Sequence, residues 1–403
     1  MGAATFSLAT GKDSLTAGYA LQNAISAYSD EAYTNAKKLS GTGIVGSNPM
    51  IDTSTETYVG QIRWMKPINP TINVASLSTA SNGVTTSFAS DYLNYIKTVR
   101  THGASRVNMA QVISQQDGLA KIGRDFAETR AQDEHNALLS VLKGVALSEA
   151  LNGACAAAGG TGTGGQTYTN DDKDAKFGFY VDMGSAKPVE AASSSLQGAA
   201  RAEGFLQAIG KAWKDYEPDY AYLVTTPAML ASLRSANLVD QDSVSEGNIN
   251  FQTIFGGKFR IIQSRASMSF DTTALTKINT GAGVDITVTN TTTSYIILPG
   301  ALAMAQLTVP DSVEIQRDAA AYLGGGTTQV WHRWGYVLAP AGYDWAGAQT
   351  AFPSDAEYGY AVEGGTPTAL TSVASGTMAS TTGTWIRKAS SALSLGILPV
   401  FHS

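Results

Sequence analysis

The strongest pattern in the sequence is a regular spacing of apolar residues between positions 117 and 145. Apolar side chains recur at intervals of three and four residues, and charged side chains fill the opposite side; the apolar positions are Leu119, Ile122, Phe126, Leu138, Val141, Leu142 and Val145. This period is typical of an amphipathic helix. Asp117 stands in the N-cap position and Gly144 lies near the predicted end. At about 1.5 Å per residue, the pattern predicts a rod of about 40 Å.

The pattern changes in the segment before this helix, between residues 59 and 107. Short β-branched runs flank Asn82-Gly83, a dipeptide favoured in type I′ turns, so a long two-stranded hairpin is predicted. One acid, Asp91, accompanies five bases, which are Arg63, Lys66, Lys97, Arg100 and Arg106. A protruding, positively biased hairpin with few core anchors is expected to need a partner surface. A solvated face is the alternative.

Two segments rich in small residues flank these elements. Residues 1–58 are rich in Ala, Ser, Thr and Gly and contain one amphipathic stretch, from Leu15 to Tyr33, which predicts an arm that carries a helix. Residues 153–166 form a Gly/Ala/Thr run that lacks the G-x-x-x-x-G-K-[ST] pattern of a phosphate-binding loop, so a flexible connection is predicted.

Helix and strand patterns alternate irregularly from residue 193 to residue 310. An amphipathic helix is predicted at 193–213, a strand at 220–224, and a short helix that starts at Thr225-Thr226-Pro227 and ends by Ser235. A hairpin is predicted around Gly256-Gly257, and an apolar strand precedes a turn at Pro299-Gly300. This irregular order indicates an α+β domain rather than a repeated βαβ array.

The strand pattern at 329–338 is apolar on both faces. It is therefore predicted to be buried on both sides or covered by a neighbouring subunit. The aromatic residues in and after it are interpreted as core or intersubunit packing rather than as a ligand site; they are Trp331, Trp334, Tyr336, Tyr343 and Trp345. Beyond Phe352 the chain is rich in Ser, Thr and Gly, which predicts an extension or a small appended β-element.

Composition narrows the function classes. The 403 residues are 43% apolar, enough for a substantial core, and only 15% charged with a net charge of −6. These values argue against a nucleic-acid binder with a broad basic surface. Cys155 is the single cysteine, so an intrachain disulfide is impossible and a reducing compartment is expected. Without a signal-like start or a long apolar run, a soluble cytoplasmic protein is expected.

No motif predicts catalysis, a metal or a cofactor. The four histidines lack ligand partners at metal-binding spacing, and no G-x-S-x-G element occurs. The charges on the long helix instead include two i,i+4 pairs, Lys121 with Asp125 and Arg130 with Glu134. We interpret them as a solvated or interface-facing helix surface, with salt bridges between subunits as the sharper alternative.

The order of these elements resembles the major capsid proteins of tailed bacteriophages, which have the Hong Kong 97-like capsid fold. The local sequences that carry the resemblance are RAQDEHNALLSVLKGV at 130–145, LVTTPAMLASLR at 223–234, FGGKFRIIQSR at 255–265 and RWGYVLAPAGYDW at 333–345. The resemblance implies an α+β fold divided into an N-terminal arm (1–58), an extended β-hairpin loop (59–107), a peripheral domain (108–196) with a spine helix (117–147), an axial domain (197–310), peripheral return strands (311–352) and a C-terminal extension (353–403).

The resemblance also implies a structural, non-enzymatic function. The expected protein assembles as pentamers and hexamers into an icosahedral virion shell around double-stranded DNA, in the cytoplasm of a bacterial host. Expected partners are further copies of the chain, portal and scaffolding proteins, a candidate decoration or cement protein, and packaged DNA on the inner face; no cofactor or membrane is expected. Because the arm pattern starts almost at Met1, a separate scaffolding protein is expected.

The hairpin bases are then candidate contacts to acidic surfaces of adjacent subunits. Some relatives crosslink their subunits through Lys and Asn, but no matching context identifies Lys66 or Lys97 as a crosslinking residue. Two alternatives stay open: an encapsulin-like protein compartment built on the same fold, and a Ser/Thr-rich surface binding module.

Overall fold

A computed structural model describes the folded part of the chain, namely residues 41–48, 50–54, 57–65, 90–107, 118–157, 181–182, 218–235, 237–246, 249–264, 292–318, 320, 326–345, 352–359, 361–363, 366–368, 381–383, 385–388 and 395–402. The predicted arm helix, the Asn82-Gly83 turn, the loop from residue 158 onward and the predicted helix at 193–213 lie outside these residues.

The described elements are three helices and eighteen strands. The helices are α1 (Gly118–Ala157), α2 (Pro227–Ser235) and α3 (Asp355–Tyr358). The strands are β1 (Val45–Gly46), β2 (Val59–Met65), β3 (Ser90–Val107), β4 (Val181–Asp182), β5 (Ala221–Thr225), β6 (Val239–Glu246), β7 (Ile249–Ile254), β8 (Phe259–Gln263), β9 (Thr292–Ile297), β10 (Leu302–Gln306), β11 (Val313–Asp318), β12 (Thr327–Pro340), β13 (Tyr343–Trp345), β14 (Ala361–Glu363), β15 (Thr366–Thr368), β16 (Thr381–Gly383), β17 (Trp385–Arg387) and β18 (Ile397–His402).

The first large sheet is organised around β12, the aromatic strand. Its order is β1-β10-β12-β3-β2, and β11 also pairs with β12. β12 runs antiparallel to β3 from Thr327 opposite Val107 to Leu338 opposite Ile96. From Trp334 to Leu338 its side chains are buried on both faces, as the apolar pattern predicted, whereas Gln329, Trp331 and Arg333 leave one face exposed or half-buried in the first half of the strand.

β2 and β3 form the base of the predicted hairpin. They pair antiparallel from Val59 opposite Ile96 to Met65 opposite Ser90. Beyond Ile96, however, β3 pairs with β12 as an interior strand of the sheet. Only β2 and residues 90–96 of β3 therefore form a two-stranded ribbon. The predicted extended loop, 59–107, includes too much of β3, because β3 beyond Ile96 is an interior strand of the sheet.

The second large sheet confirms the α+β prediction for the middle of the chain. Its order is β4-β18-β9-β5-β8-β7-β6, with β5 parallel to β8 and antiparallel to β9. Helix α2 begins at Pro227, as predicted, and the Thr226 hydroxyl accepts a hydrogen bond from the Met229 N–H at 3.3 Å. The β7–β8 turn uses Gly256 and Gly257, whose φ angles are +67° and +90°.

The long helix α1 is longer than predicted. It spans 40 residues, about 60 Å at 1.5 Å per residue, and continues beyond residue 147 to Ala157. Gly144 is not a stop signal: a Cβ there would overlap the carbonyl oxygen of Tyr358 and lie 2.8 Å from Cδ1 of Trp385. The glycine lets the C-terminal residues pack directly against the helix backbone. The first part of the predicted loop, residues 153–157, is instead the last part of α1.

The C-terminal segment contains a small three-stranded sheet, β15-β14-β16, as the prediction of a small β-element allowed, but β17 and β18 are built into the fold, which corrects the prediction of an appendage for these strands. β18 lies inside the second sheet between β9 and β4, with Leu398 opposite Ile296. Tyr358, Trp385 and Ile397 have no exposed surface. Burial of these large side chains, at about 25 cal/mol per Å² of apolar area, makes this segment a substantial part of the core.

Candidate assembly surface

The predicted hairpin bases divide into exposed and internal side chains. Arg63 is exposed on β2, directly opposite Tyr92, whose side chain is also exposed. Lys66 lies outside the described residues, and Arg106 lies on β3 with its side chain outside them. Among the bases whose side chains are described, Arg63 is therefore the one that the structure places on the subunit surface.

Lys97 is internal, so it does not offer a surface charge to an adjacent subunit. Its side chain is 0% exposed, and Nζ lies 2.7 Å from both the Asp52 carboxylate and the Ser54 carbonyl oxygen. Thr57 Oγ1 is a further partner at 3.3 Å. The Lys97 hydrogen bond, followed by those from Ser54, lowers the pKa of Asp52 to about 2. The sequence did not show this role because Asp52 lies 45 residues away, in the predicted arm.

Arg100 is likewise engaged within the chain, at a junction of four elements. Its NH2 lies 2.9 Å from Asp355 of α3, and its Nε lies 3.6 Å from Asp133 of α1. Asp133 also accepts hydrogen bonds from Trp334 Nε1 at 2.9 Å and from the Tyr336 hydroxyl at 3.0 Å. The junction ties β3, β12, α1 and α3 together, and neither acid was singled out for this role from the sequence.

Burial controls the protonation of this junction. It raises the pKa of the Asp355 carboxyl, and the nearby Asp133 charge adds to the rise while Arg100 opposes it. Burial, followed by the Asp133 charge, also raises the pKa of Tyr336, which therefore stays a neutral donor. The Thr98 hydroxyl is hydrogen-bonded to the Tyr358 hydroxyl beside it. The cluster consists of structural contacts, in which Arg100 Nε is a buried donor that makes no hydrogen bond to the described residues.

The spine-helix charges whose side chains the structure describes make their contacts within the subunit. Arg130 Nε lies 3.4 Å from Glu134 Oε1, the predicted i,i+4 geometry. The Gln306 side chain joins them, because its oxygen accepts from Arg130 at 2.9 Å and its nitrogen donates to Glu134 at 3.0 Å. This contact fastens α1 to β10. The side chain of Lys121 lies outside the described residues, so its pairing with Asp125 stays a prediction.

Four of the five singled-out aromatics are buried. Trp334, Tyr336, Tyr343 and Trp345 are at most 5% exposed, whereas Trp331 is 36% exposed and its ring covers Gly103. Beside them, His332 stacks on Phe126 with ring centroids 5.3 Å apart. Burial, with smaller contributions from Arg130 and His102, lowers the pKa of His332 to about 4. These rings are packing groups within the subunit.

A buried ion pair fixes the C-terminal strands to the long helix. Arg387 NH1 lies 2.8 Å from Glu149 Oε2, with side chains 2% and 0% exposed. The Ser148 hydroxyl donates to the Trp385 carbonyl oxygen, and Trp385 Nε1 donates to the Tyr358 carbonyl oxygen at 3.2 Å. No local sequence pattern predicts this attachment, because Ser148 and Glu149 lie more than 200 residues from Trp385 and Arg387.

A cleft opens where the ribbon meets the sheet. Its volume is about 280 Å³, and strands β1, β2, β3, β10 and β12 contribute to its walls. The lining includes Ile62, Leu93, Ala303 and Ala339, and Arg63 is the only charged residue among its described lining residues.

Among the residues that the structure describes, no group of three or more His, Cys, Asp or Glu side chains could hold a metal ion. Among the described helices, none is both long and apolar enough to cross a lipid bilayer.

Comparisons with known proteins give structural similarities only. No family model matches the chain, and no curated protein matches it. Among solved structures, it is similar to the capsid of Ralstonia phage GP4 at 13% identity, covering 74% of this chain and 83% of that chain, with a TM-score of 0.41. It is similar to the capsid of the cyanophage P-SCSP1u at 12% identity, covering 73% and 86%, with a TM-score of 0.39. It is also similar to the head structure of Helicobacter pylori bacteriophage KHP40 at 9% identity, covering 91% of both chains, with a TM-score of 0.45.

Proposed function

We propose that this chain is the major capsid protein of a tailed bacteriophage, with a Hong Kong 97-like fold. The observation that carries the proposal is the geometry of the subunit: the β2–β3 ribbon leaves a sheet that is itself braced by a 40-residue helix. A helix-braced sheet that ends in a two-stranded ribbon suits a subunit that contacts its neighbours through that ribbon.

The subunit forms pentamers and hexamers, which build an icosahedral shell around double-stranded DNA. Its function is structural rather than enzymatic. Assembly takes place in the cytoplasm of a bacterial host with portal and scaffolding proteins, and a decoration protein is a further partner. The net charge of −6 supports a shell that encloses DNA without gripping it tightly, because acidic groups offset local bases.

The interfaces involve the ribbon and its exposed charges. Arg63, Lys66 and Arg106 are the hairpin bases proposed to meet acidic surfaces of adjacent subunits, whereas Lys97 and Arg100 stabilise the subunit itself. The domain division into arm, ribbon, peripheral and axial parts is kept, except that β3 beyond Ile96 is assigned to the peripheral sheet and the described strands β17 and β18 to the core of the subunit, where Trp385 and Ile397 are buried.

Electron microscopy of negatively stained protein, expressed in bacterial cells with and without a scaffolding protein, tests this proposal. We expect uniform closed shells in at least one of the two preparations. A protein that stays monomeric in both would contradict it. Shells that fill with a protein cargo instead of DNA would favour the encapsulin-like alternative. A monomer would favour the surface-module alternative, although the burial of Trp385 and Ile397 in the C-terminal strands β17 and β18 counts against it.

A further inference from the structure

The long helix α1 rests on two separate groups of buried side chains. From Ala137 to Ala146 its apolar side chains belong to the main core of the subunit. Nearer its start, Phe126 belongs instead to a small cluster with Val313 of β11 and Val330 of β12, and Ile122 packs against that cluster. A segment with few buried apolar contacts can open without unfolding of the whole domain, so the two parts of α1 can differ in stability.

His332 of β12 lies between the sheet and the first part of α1. It is 3% exposed, and its ring stacks on that of Phe126 with centroids 5.3 Å apart and planes 10° apart. The ring of Trp334 lies 5.2 Å away on the same strand. The buried Nδ1 of His332 makes no hydrogen bond to the part of the chain that the structure describes. This environment suits an uncharged imidazole, because a buried charge without a partner is costly.

The cations around His332 oppose its protonation. His102 stands directly opposite it in the β3–β12 register, and the His102 ring meets the Phe126 ring edge-on at 5.4 Å. Burial, followed by the charges of Arg130 and His102, lowers the pKa of His332 to about 4. On the other side, the residue of β11 that pairs with His332 is Val313, which is uncharged.

The acids on the elements around His332 have other partners or face solvent. Asp133 of α1 accepts hydrogen bonds from two aromatic side chains of β12 and also lies near Arg100 of β3. Glu134 of α1 and Glu314 of β11 are each paired with an arginine. The exposed acids in this part of α1 are Asp125 and Glu128. Protonation of His332 therefore places a positive charge beside other cations.

We infer that His332 is an acid-sensitive latch, which holds residues 122–130 of α1 on the sheet and releases them when its imidazole gains a proton. Release exposes the imidazole to water, where it regains its ordinary proton affinity, so acid favours the open state. The part of α1 from Ala137 onward stays in place, because its buried apolar side chains do not titrate. The latch is a property of the single subunit and does not depend on the proposed shell function.

Hydrogen–deuterium exchange of the full-length chain, measured by mass spectrometry, tests the latch. The rates are corrected for the intrinsic effect of pH, and peptides that cover residues 122–130 are compared with peptides that cover residues 137–146. Because release returns the pKa of His332 from about 4 to its ordinary 6.5, the open population of the first segment should rise about thirtyfold between about pH 7.5 and about pH 5. The second segment should change by less than about threefold.

Two histidine substitutions assign the response to His332. His332→Phe keeps an aromatic ring beside Phe126 but cannot be protonated, so residues 122–130 should exchange with little dependence on pH. His135→Gln is the matched control, because it removes a buried histidine that lies on α1 itself, and it should leave the response in place. Circular dichroism verifies that each variant is folded.

Three outcomes would overturn the inference. They are equal acceleration of both segments in the unaltered chain, a response of residues 122–130 that persists in His332→Phe, and a response that disappears in His135→Gln. The first outcome requires no variant, so the test holds even where a substitution prevents folding.

Discussion

The buried pair of Arg387 and Glu149 decides whether the C-terminal strands belong to the core. The guanidinium lies 2.8 Å from the carboxylate, and the two side chains are 2% and 0% exposed. Arg387→Met preserves much of the apolar stem but removes the cation. The Glu149 carboxylate then stays buried without its guanidinium, and loss of one partner of a buried pair costs about 3–5 kcal/mol. We expect Arg387→Met to lower the free energy of unfolding by that amount.

Urea unfolding, followed by tryptophan fluorescence and circular dichroism, measures the change. Replacing both partners, in Arg387→Met with Glu149→Met, should recover most of the loss, because a buried pair exchanged for apolar side chains is often neutral. Lys388→Met is the matched control: its Nζ lies 3.8 Å from Asp344 and its side chain is 36% exposed, so a loss below about 1 kcal/mol is expected.

If Arg387→Met costs no more than Lys388→Met, the pair is solvated and the strand β17 does not lie against α1 as described. If the double variant is as unstable as Arg387→Met, the loss comes from packing around the side chain rather than from a stranded charge.

Three further predictions follow from the same contacts. Gly144→Val should lower the free energy of unfolding by at least about 1–3 kcal/mol, because the larger side chain overpacks against Tyr358; a lower urea midpoint would show this loss. If Gly144 only weakened the helix, the same substitution would stabilise the protein and raise the midpoint. Burial lowers the pKa of His332 from 6.5 to about 4, so the neutral imidazole contributes its full share to the free energy of unfolding above about pH 6.5. That free energy should fall by up to about 3 kcal/mol as the pH drops toward 4. His332→Phe should flatten this pH dependence, and an unchanged pH dependence would refute the role of His332 in it. Lys97→Met should speed limited proteolysis at residues 52–57, which Lys97 fastens to β3; an unchanged cleavage rate would refute that role.

Features set by neighbouring residues were predicted well from the sequence. The Thr226-Pro227 helix start depends on a cap and a fixed φ, and the Gly256-Gly257 turn depends on positive φ values, so both are visible in a few letters. The Arg130–Glu134 pair follows from helical spacing alone.

Features set by distant residues were missed. Gly144 looked like a helix end because its contacts, Tyr358 and Trp385, are more than 200 residues away. The Ser/Thr-rich composition of the C-terminal region suggested an appendage, although the pairing of Leu398 with Ile296 places β18 inside a sheet. Such pairings depend on the packing of whole elements, which local composition does not encode.

Charge alone also misjudged the hairpin. Lys97 and Arg100 belong to the same basic cluster as Arg63, but they lie where β3 pairs with β12 inside the sheet, and acids from other parts of the chain engage both of them. Asp52, Asp133 and Asp355 come from three separate parts of the chain, so only the fold shows that they engage these bases.

Cryo-electron microscopy of the assembled particles tests the central claim most directly. We predict closed icosahedral shells in which this chain forms pentamers and hexamers, with the β2–β3 ribbon of each subunit laid over a neighbour and the strands β17 and β18 inside the subunit core. Particles without this chain in the shell, or a chain that remains monomeric in every preparation, would contradict it.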